Sequence, residues 1–236
     1  MHITRIILRP DQYPVKDRFP FNIELFNRTP EFVLDRPVTF FAGENGTGKS
    51  TLLEAVAERC GIHIWRGMDS PRFVKNRYAR DLRKYLDVEW TAGPVPGGFF
   101  ASEIFRRFAE LLDEWALGDP SQLKYFGGQS LISQSHGQGH MAFFRNRFAV
   151  KGLYLLDEPE NALSPSRQME LLHLLAEVSG RGDAQFIVCT HSPILLSLEG
   201  GRIFSFDDVP AKTVSFEETG HYRIYRDFFD GLKGSR

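Results

Sequence analysis

The sequence predicts an α/β protein, a mostly parallel sheet flanked by helices, with an antiparallel β part at the N-terminus and a helical insertion. Three observations predict it. Short apolar runs (VTFF, GLYLLD, AQFIVC) read as strands buried on both faces. Helical stretches such as STLLEAVAER and SPSRQMELLHLLAEVSG separate them. Each run also ends in glycine, acid or histidine, the residue types that ligands meet at the carboxyl ends of such sheets.

The elements follow in order. MHITRIILR alternates as a strand, and FNIELF reads as its hairpin partner beyond a loop punctuated by Pro10, Pro14 and Pro20. VTFF then leads into a glycine-rich turn and a helix that Gly61 stops. Residues 62–131 are expected to form a mostly helical insertion within a single domain spanning 1–236. In it LDVEW can be a strand, TAGPVPGG is a loop, and SEIFRRFAELLDEWALG puts Ile104, Phe105, Phe108, Leu111, Leu112 and Trp115 on one helical face. After GLYLLDEPE, Ser164 caps a helix that opens with Pro165. AQFIVCTHS and GRIFSFDD are further strands, TVSFEE an edge strand, and HYRIYRDFFDGLK a closing helix whose aromatics pack on the domain.

Composition narrows the class. The 236 residues bury enough surface to fold without a disulfide or structural metal. Hydrophobic content of 42%, charged content of 25% and a net charge of −1 exclude a globally basic nucleic-acid or membrane binder but leave room for a local patch. Cys60 and Cys189 lie in apolar surroundings and read as free thiols. The N-terminus lacks the apolar run of a signal peptide, and no window is long enough to span a bilayer, so a cytoplasmic chain without a membrane partner is expected.

GENGTGKS matches G-x-x-x-x-G-K-[ST] between a buried strand and a helix start, which is the context its mechanism requires. Glycines let backbone N–H groups wrap phosphates, and the helix N-terminus adds partial positive charge. Gly43, Glu44, Asn45, Gly46, Thr47, Gly48, Lys49, Ser50 and Thr51 form this cradle. Lys49 is expected on the β- and γ-phosphates and Ser50 on Mg²⁺. Asp157 ends an apolar strand where it can hold the metal. Glu158 beside it can orient and deprotonate water. His191 ends a neighbouring apolar strand, from which it can reach a γ-phosphate.

Together GENGTGKST, SHGQG, GLYLLDEPENALSP, FIVCTHSPILL and the ending RIFSFDD…HYRIYRDF resemble the ABC-type ATPase superfamily, nearest to the small proteins described as AAA-family ATPases. The resemblance covers most of the chain outside 62–131. It implies ATP and Mg²⁺ as cofactors. It also gives SQSHGQGH a role: Ser135, His136, Gly137 and Gln138 occupy the Ser-Gly-Gly-Gln-like helix start that contacts ATP held by a second subunit. That implies an ATP-dependent, head-to-tail homodimer with an isologous interface, which drives a partner protein of unknown identity. Here His136 replaces a glycine and Gln134 the usual leucine, and Ser164 stands where transporters place Asp. These departures point away from a transporter engine.

Other readings stay open. His136 and His140, four apart, can face a metal together, and a protonated His136 can meet phosphate in trans. The glutamine loop has no clear match, and Glu103 marks its neighbourhood. Tyr13 and Phe21 are candidates to stack on the base. The basic stretch 72–85 interleaves Arg72, Lys75, Arg77, Arg80, Arg83 and Lys84 with Phe73, Tyr78 and Tyr85, which suits nucleic acid or a solvated helix. A DNA- or RNA-associated ATPase, a transporter subunit and a small-molecule P-loop kinase are the rival functions.

Overall fold

The computed structural model describes residues 1–65, 76–133 and 135–234. Six strands form the main sheet in the order β5-β6-β7-β3-β8-β9: β5 Gly97–Ala101, β6 Gly152–Asp157, β7 Ala184–Cys189, β3 Val38–Ala42, β8 Arg202–Ser205 and β9 Lys212–Val214. All neighbours run parallel except β9, which closes the edge antiparallel to β8. A second, antiparallel sheet has β1 (Ile3–Leu8) between β2 (Glu31–Val33) and β4 (Leu86–Trp90).

Successive residues of the central strands enter opposite cores. Phe41, Leu155 and Ile187 join the core that includes the antiparallel sheet and α2 (Lys49–Arg59). Phe40, Leu156 and Val188 join the core under α3 (Ser102–Gly118), α4 (His136–Arg147) and α5 (Pro165–Gly180). Being apolar on both faces is what turned these strands into unbroken apolar runs in the sequence. The second core is dense in rings, with Phe100 and Phe143 touching each other and both Phe105 and Phe144. One buried polar side chain ties the sheets together: Gln185 on β7 accepts from His2 N and Ile3 N, and returns a bond to Ile3 O.

The structure corrects three expectations. FNIELF is not a strand; α1 (Glu24–Arg28) occupies it, with Leu25 and Phe26 both buried and the Asn27 amide satisfying the carbonyls of Phe21 and Ile23. The strand partners of β1 are β2 and β4. Residues 62–131 hold more than the helix α3 and the strand LDVEW expected of them, because GGFFA, in and after the stretch read as a loop, is β5 of the main sheet, while β4 joins the antiparallel one. Finally, the aromatics of the closing helix α7 (Gly220–Gly234) do not pack on the body. Ile224 is 64% exposed, Phe228 60%, Phe229 52% and Leu232 51%, because the helix runs off the body after its first turn. Only near its start does Tyr222 meet Phe216, at 4.8 Å between ring centroids. Among the described residues no helix is long and apolar enough to cross a membrane.

Candidate active site

Register brings the chemistry to one edge. Asp157 pairs with Cys189 on β7 and with Ala101 on β5, while Phe41 on β3 pairs with Cys189 and Ala42 with Ser205. The loops leaving the carboxyl ends of β3, β6 and β7 therefore carry the cradle, the acidic pair and His191 side by side.

The cradle runs from Gly43 to the start of α2. Gly43, at φ 154°, has no room for a Cβ, which would sit 2.9 Å from Asp207 Oδ1. That carboxylate accepts from Glu44 N at 2.7 Å and so pins the loop to the end of β8. Glu44, Asn45 and Gly46 form the exposed crest, and Thr47 Oγ1 donates to Glu44 O at 2.9 Å. Gly48 is the left-handed N-cap of α2, held over the Phe26 ring. Lys49 is buried and donates to Gly43 O (2.7 Å) and Glu44 O (2.8 Å). Burial holds its pKa below the usual lysine value. Ser50 Oγ donates to Asp157 Oδ1 at 2.9 Å, and Thr51 follows it into a small hollow shared with Glu54 and Arg80.

Burial pushes the Asp157 carboxyl up to about 7, against the lowering effect of the Ser50 bond. Glu158 has left-handed backbone, φ 46° and ψ 53°, the lone non-glycine residue at positive φ among the described residues. Its backbone is held on both sides, N–H to Cys189 O at 2.9 Å and C=O from Ser102 Oγ at 2.6 Å. Strain so over-determined is common at functional sites. In the carboxylate, Oε2 accepts from Asn161 Nδ2 at 2.6 Å, and Oε1 lies 3.4 Å from His191 Nε2. Such a group can accept a proton from water without moving.

His191 is positioned from two sides. Its N–H donates to the buried Glu160 Oε1 at 2.6 Å, and the chain beyond is fixed by Ser192, whose Oγ donates to Gln168 and caps α6 (Pro193–Leu196). Its Nδ1 lies 3.1 Å from His221 Nε2, on the first turn of α7.

Ser135 stands apart. It N-caps α4 in a capping box with Gln138, whose Oε1 accepts from Ser135 N (3.2 Å) and Oγ (2.9 Å). Gly137 is half-buried, and α4 rests on the turn Pro159–Ala162 that follows Glu158. Among the described residues these two side chains bond each other and none of the cradle. The side chain of His136 lies outside the described structure. His140 is buried against Phe100 and Phe105, at 5.1 and 4.1 Å between centroids, which removes the two-histidine metal reading. No cluster of three or more metal-ligating side chains occurs among the described residues.

Other sequence candidates fall elsewhere. Tyr13 and Phe21 are core residues packed on each other with tilted rings 4.7 Å apart, so neither faces a base. Glu103 is exposed, and it is the preceding Ser102 that reaches Glu158. Of 72–85, residues 72–75 lie outside the described structure. In the remainder Tyr78 and Tyr85 turn inward onto Phe21, Arg83 pairs with Glu58, and Lys84 pairs with Asp81. Among the described residues 76–85, the rings Tyr78 and Tyr85 therefore do not form an open stacking surface. Sequence reasoning missed Asp207, Glu160, Asn161, Ser102 and His221. Of these, only Asn161 and Glu160 had a local signal, their place beside Glu158.

Comparison with known proteins agrees with this geometry. A family model described as "AAA domain, putative AbiEii toxin, Type IV TA system" matches residues 135–197, from Ser135 past His191. The chain is 30% identical over 192 residues to the thiamine import ATP-binding protein ThiQ of Cereibacter sphaeroides, covering 72% of this chain and 80% of that protein. It is 27% identical over 206 residues to the ferric enterobactin transport ATP-binding protein FepC of Escherichia coli, covering 78% and 75%. These names describe transport systems and lend no support to the expectation that no membrane is involved. In fold, the chain resembles cbiO1 of Clostridium perfringens, part of the ABC transporter complex cbiONQ, with a TM-score of 0.52 at 14% identity over 96% of this chain and 92% of that one. The cradle, the acidic strand end and the identity to ThiQ over most of its length lead to one conclusion: the chain belongs to the ABC-type P-loop ATPases, which bind and hydrolyse ATP.

Proposed function

We propose that two copies of this chain close head to tail on two ATP molecules, hydrolyse them to ADP and phosphate, and pass the change between closed and open dimers to a partner protein. The observation that carries this reading is the Glu158 carboxylate, held by Asn161 and facing His191 beside the Ser50–Asp157 pair.

Lys49 leaves the carbonyls of Gly43 and Glu44 for the β- and γ-phosphates, while the N–H groups of 43–51 wrap them. Asp157 and Ser50 fit a magnesium ion. A buried carboxylate whose charge is opposed by burial, bonded to one hydroxyl, offers the hard oxygen ligands such a cation takes. When bound, it neutralises charge on the phosphate oxygens. Glu158 takes a proton from the attacking water as the water oxygen bonds the γ-phosphorus and the bond to the β-bridging oxygen breaks. His191 stabilises the γ-phosphate oxygens. Ser135, His136, Gly137 and Gln138 of the other copy complete the site, and the self-contained capping box at Ser135 supports this, since it has no bond to its own cradle.

Molar mass in solution tests the reading. Glu158→Gln should be dimeric with Mg-ATP and monomeric without it, and Ser135→Arg on that background should abolish the dimer. A Glu158→Gln protein that binds ATP yet stays monomeric at high concentration would refute it. A second reading, the ATP-binding subunit of an import system, is favoured by the names of ThiQ and FepC. Co-purification with an integral membrane subunit would select it.

A further inference from the structure

We propose that His221 is a positioning residue for ATP hydrolysis: its Nε2–H, donated to His191 Nδ1, fixes the ring of His191 so that the opposite nitrogen faces the Glu158 carboxylate. The inference rests on the role given to His191 above.

The geometry leaves few choices. The two rings lie 5.2 Å apart between centroids, with the nitrogens at 3.1 Å, a distance at which one proton must lie between them. On the other side of His191, the buried Nε2 lies 3.4 Å from Glu158 Oε1, a charge contact and not a formed hydrogen bond, and an acceptor-only carboxylate favours an N–H facing it. A neutral His191 with its proton on Nε2 has a bare Nδ1, so the proton between the rings belongs to His221. Burial, and after it the neighbouring His191, hold the pKa of His221 below the usual histidine value, consistent with a neutral ring. A second ring that sets the tautomer and aim of a working histidine is a known way to tune it.

The chain invests structure in bringing His221 there. A capping box between Ser215 and Glu218 turns the backbone after β9. The buried Thr219 then donates to Phe216 O at 2.7 Å and accepts from Tyr222 N at 3.2 Å, and Tyr222 packs on Phe216. These contacts secure the first turn of α7 and nothing beyond it. From Arg223 to Leu232 every residue is exposed. The anchored turn thus holds one side chain against the site while the residues from Arg223 to Leu232 are exposed to solvent.

The test is steady-state ATP hydrolysis by the full chain, with equilibrium ATP binding and thermal melting alongside. His221→Ala should lower kcat about tenfold, the scale for losing a group that orients a ligand histidine, with KM and ATP affinity within about twofold and an unchanged melting temperature. His221→Gln, whose amide nitrogen can make the same donation, should recover to within about threefold of wild type. His191→Ala/His221→Ala should be no slower than His191→Ala, since a residue acting only through another adds nothing once that one is gone. Wild-type kcat for His221→Ala, failure of Gln to rescue, or additive losses in the double variant would overturn the inference. If His191→Ala itself turns over normally, the role of His191 falls and this inference with it. A crippled His191→Ala beside a normal His221→Ala removes only the inference about His221.

Discussion

Two helix N-termini in this molecule, the starts of α2 and α4, are supported in opposite ways. The start of α2 is stitched into the sheet: Asp207 holds Glu44 N, Lys49 fills the loop, and Ser50 reaches across to Asp157. The start of α4 is stitched only to itself, through Ser135 and Gln138, and leans on the turn after Glu158. The first is a finished half-site in one chain. The second is ordered by its own capping box, and in the proposed dimer it would serve the other copy. A helix start spends its four free N–H groups on a cap or on an anion.

Several experiments can break or sharpen that contrast. The largest effect should come from Glu158→Gln, which lowers kcat by about 10³-fold, within the range for loss of a general base, and leaves ATP binding intact by equilibrium titration. Next, Ser135→Arg should reduce turnover by about 10²-fold, the order expected when a positioned contact to the reacting group is misplaced. Hydrolysis should then lose its second-order dependence on protein concentration, while single-chain ATP binding should not change. Equal loss of ATP binding in both variants would erase the distinction between the two helix starts.

The third concerns pH. The folded pKa of Asp157 is raised from 3.8 to about 7, so the protonated form is favoured by folding. This contribution is fully present below about pH 4 and is lost as pH rises through about 7, on the order of 4 kcal/mol across that window. Chemical denaturation of the ligand-free protein should show that decline, Asp157→Asn should flatten it, and Mg-ATP should offset it in the wild type. The smallest effect is that of Asp207→Ala, which frees Glu44 N and should raise KM for ATP about tenfold through roughly 1.5 kcal/mol of lost charge-assisted hydrogen bonding. The start of α4 should be indifferent to this change, so dimerisation of the ATP-saturated protein should be preserved.

The same contrast explains what could be read from the sequence. Gly43–Thr51, Asp157 and Glu158 were legible because a phosphate loop and an acidic strand end need fixed residue types at fixed local spacing. Their contacts to Asp207, Ser102 and His221 were not, since each joins side chains far apart in the chain through strand order. FNIELF carried a period of two without being a strand, because Phe21, Leu25 and Phe26 all enter one core around a single helical turn. GGFFA was hidden by its glycines. Gly97 and Gly98 give no apolar signal, yet the strand they open pairs with β6 along its whole length, and a Cβ at Gly97 would lie 2.6 Å from Leu153 O. The exposure of α7 was illegible in principle: an amphipathic pattern says that a helix has an apolar face, and not what lies against it.

The left-handed backbone of Glu158 has a consequence for the history of any such protein. At φ 46° a glycine would be more comfortable than glutamate by about 1 kcal/mol, so the position proposed to act as general base is also one where its replacement would raise thermal stability. A lineage relieved of the need to hydrolyse ATP would have a downhill route at codon 158, towards glycine or asparagine, with the fold and the nucleotide cradle left whole. Laboratory selection of this chain for heat resistance alone should find the same route early, and would yield ATP-binding proteins that no longer turn over.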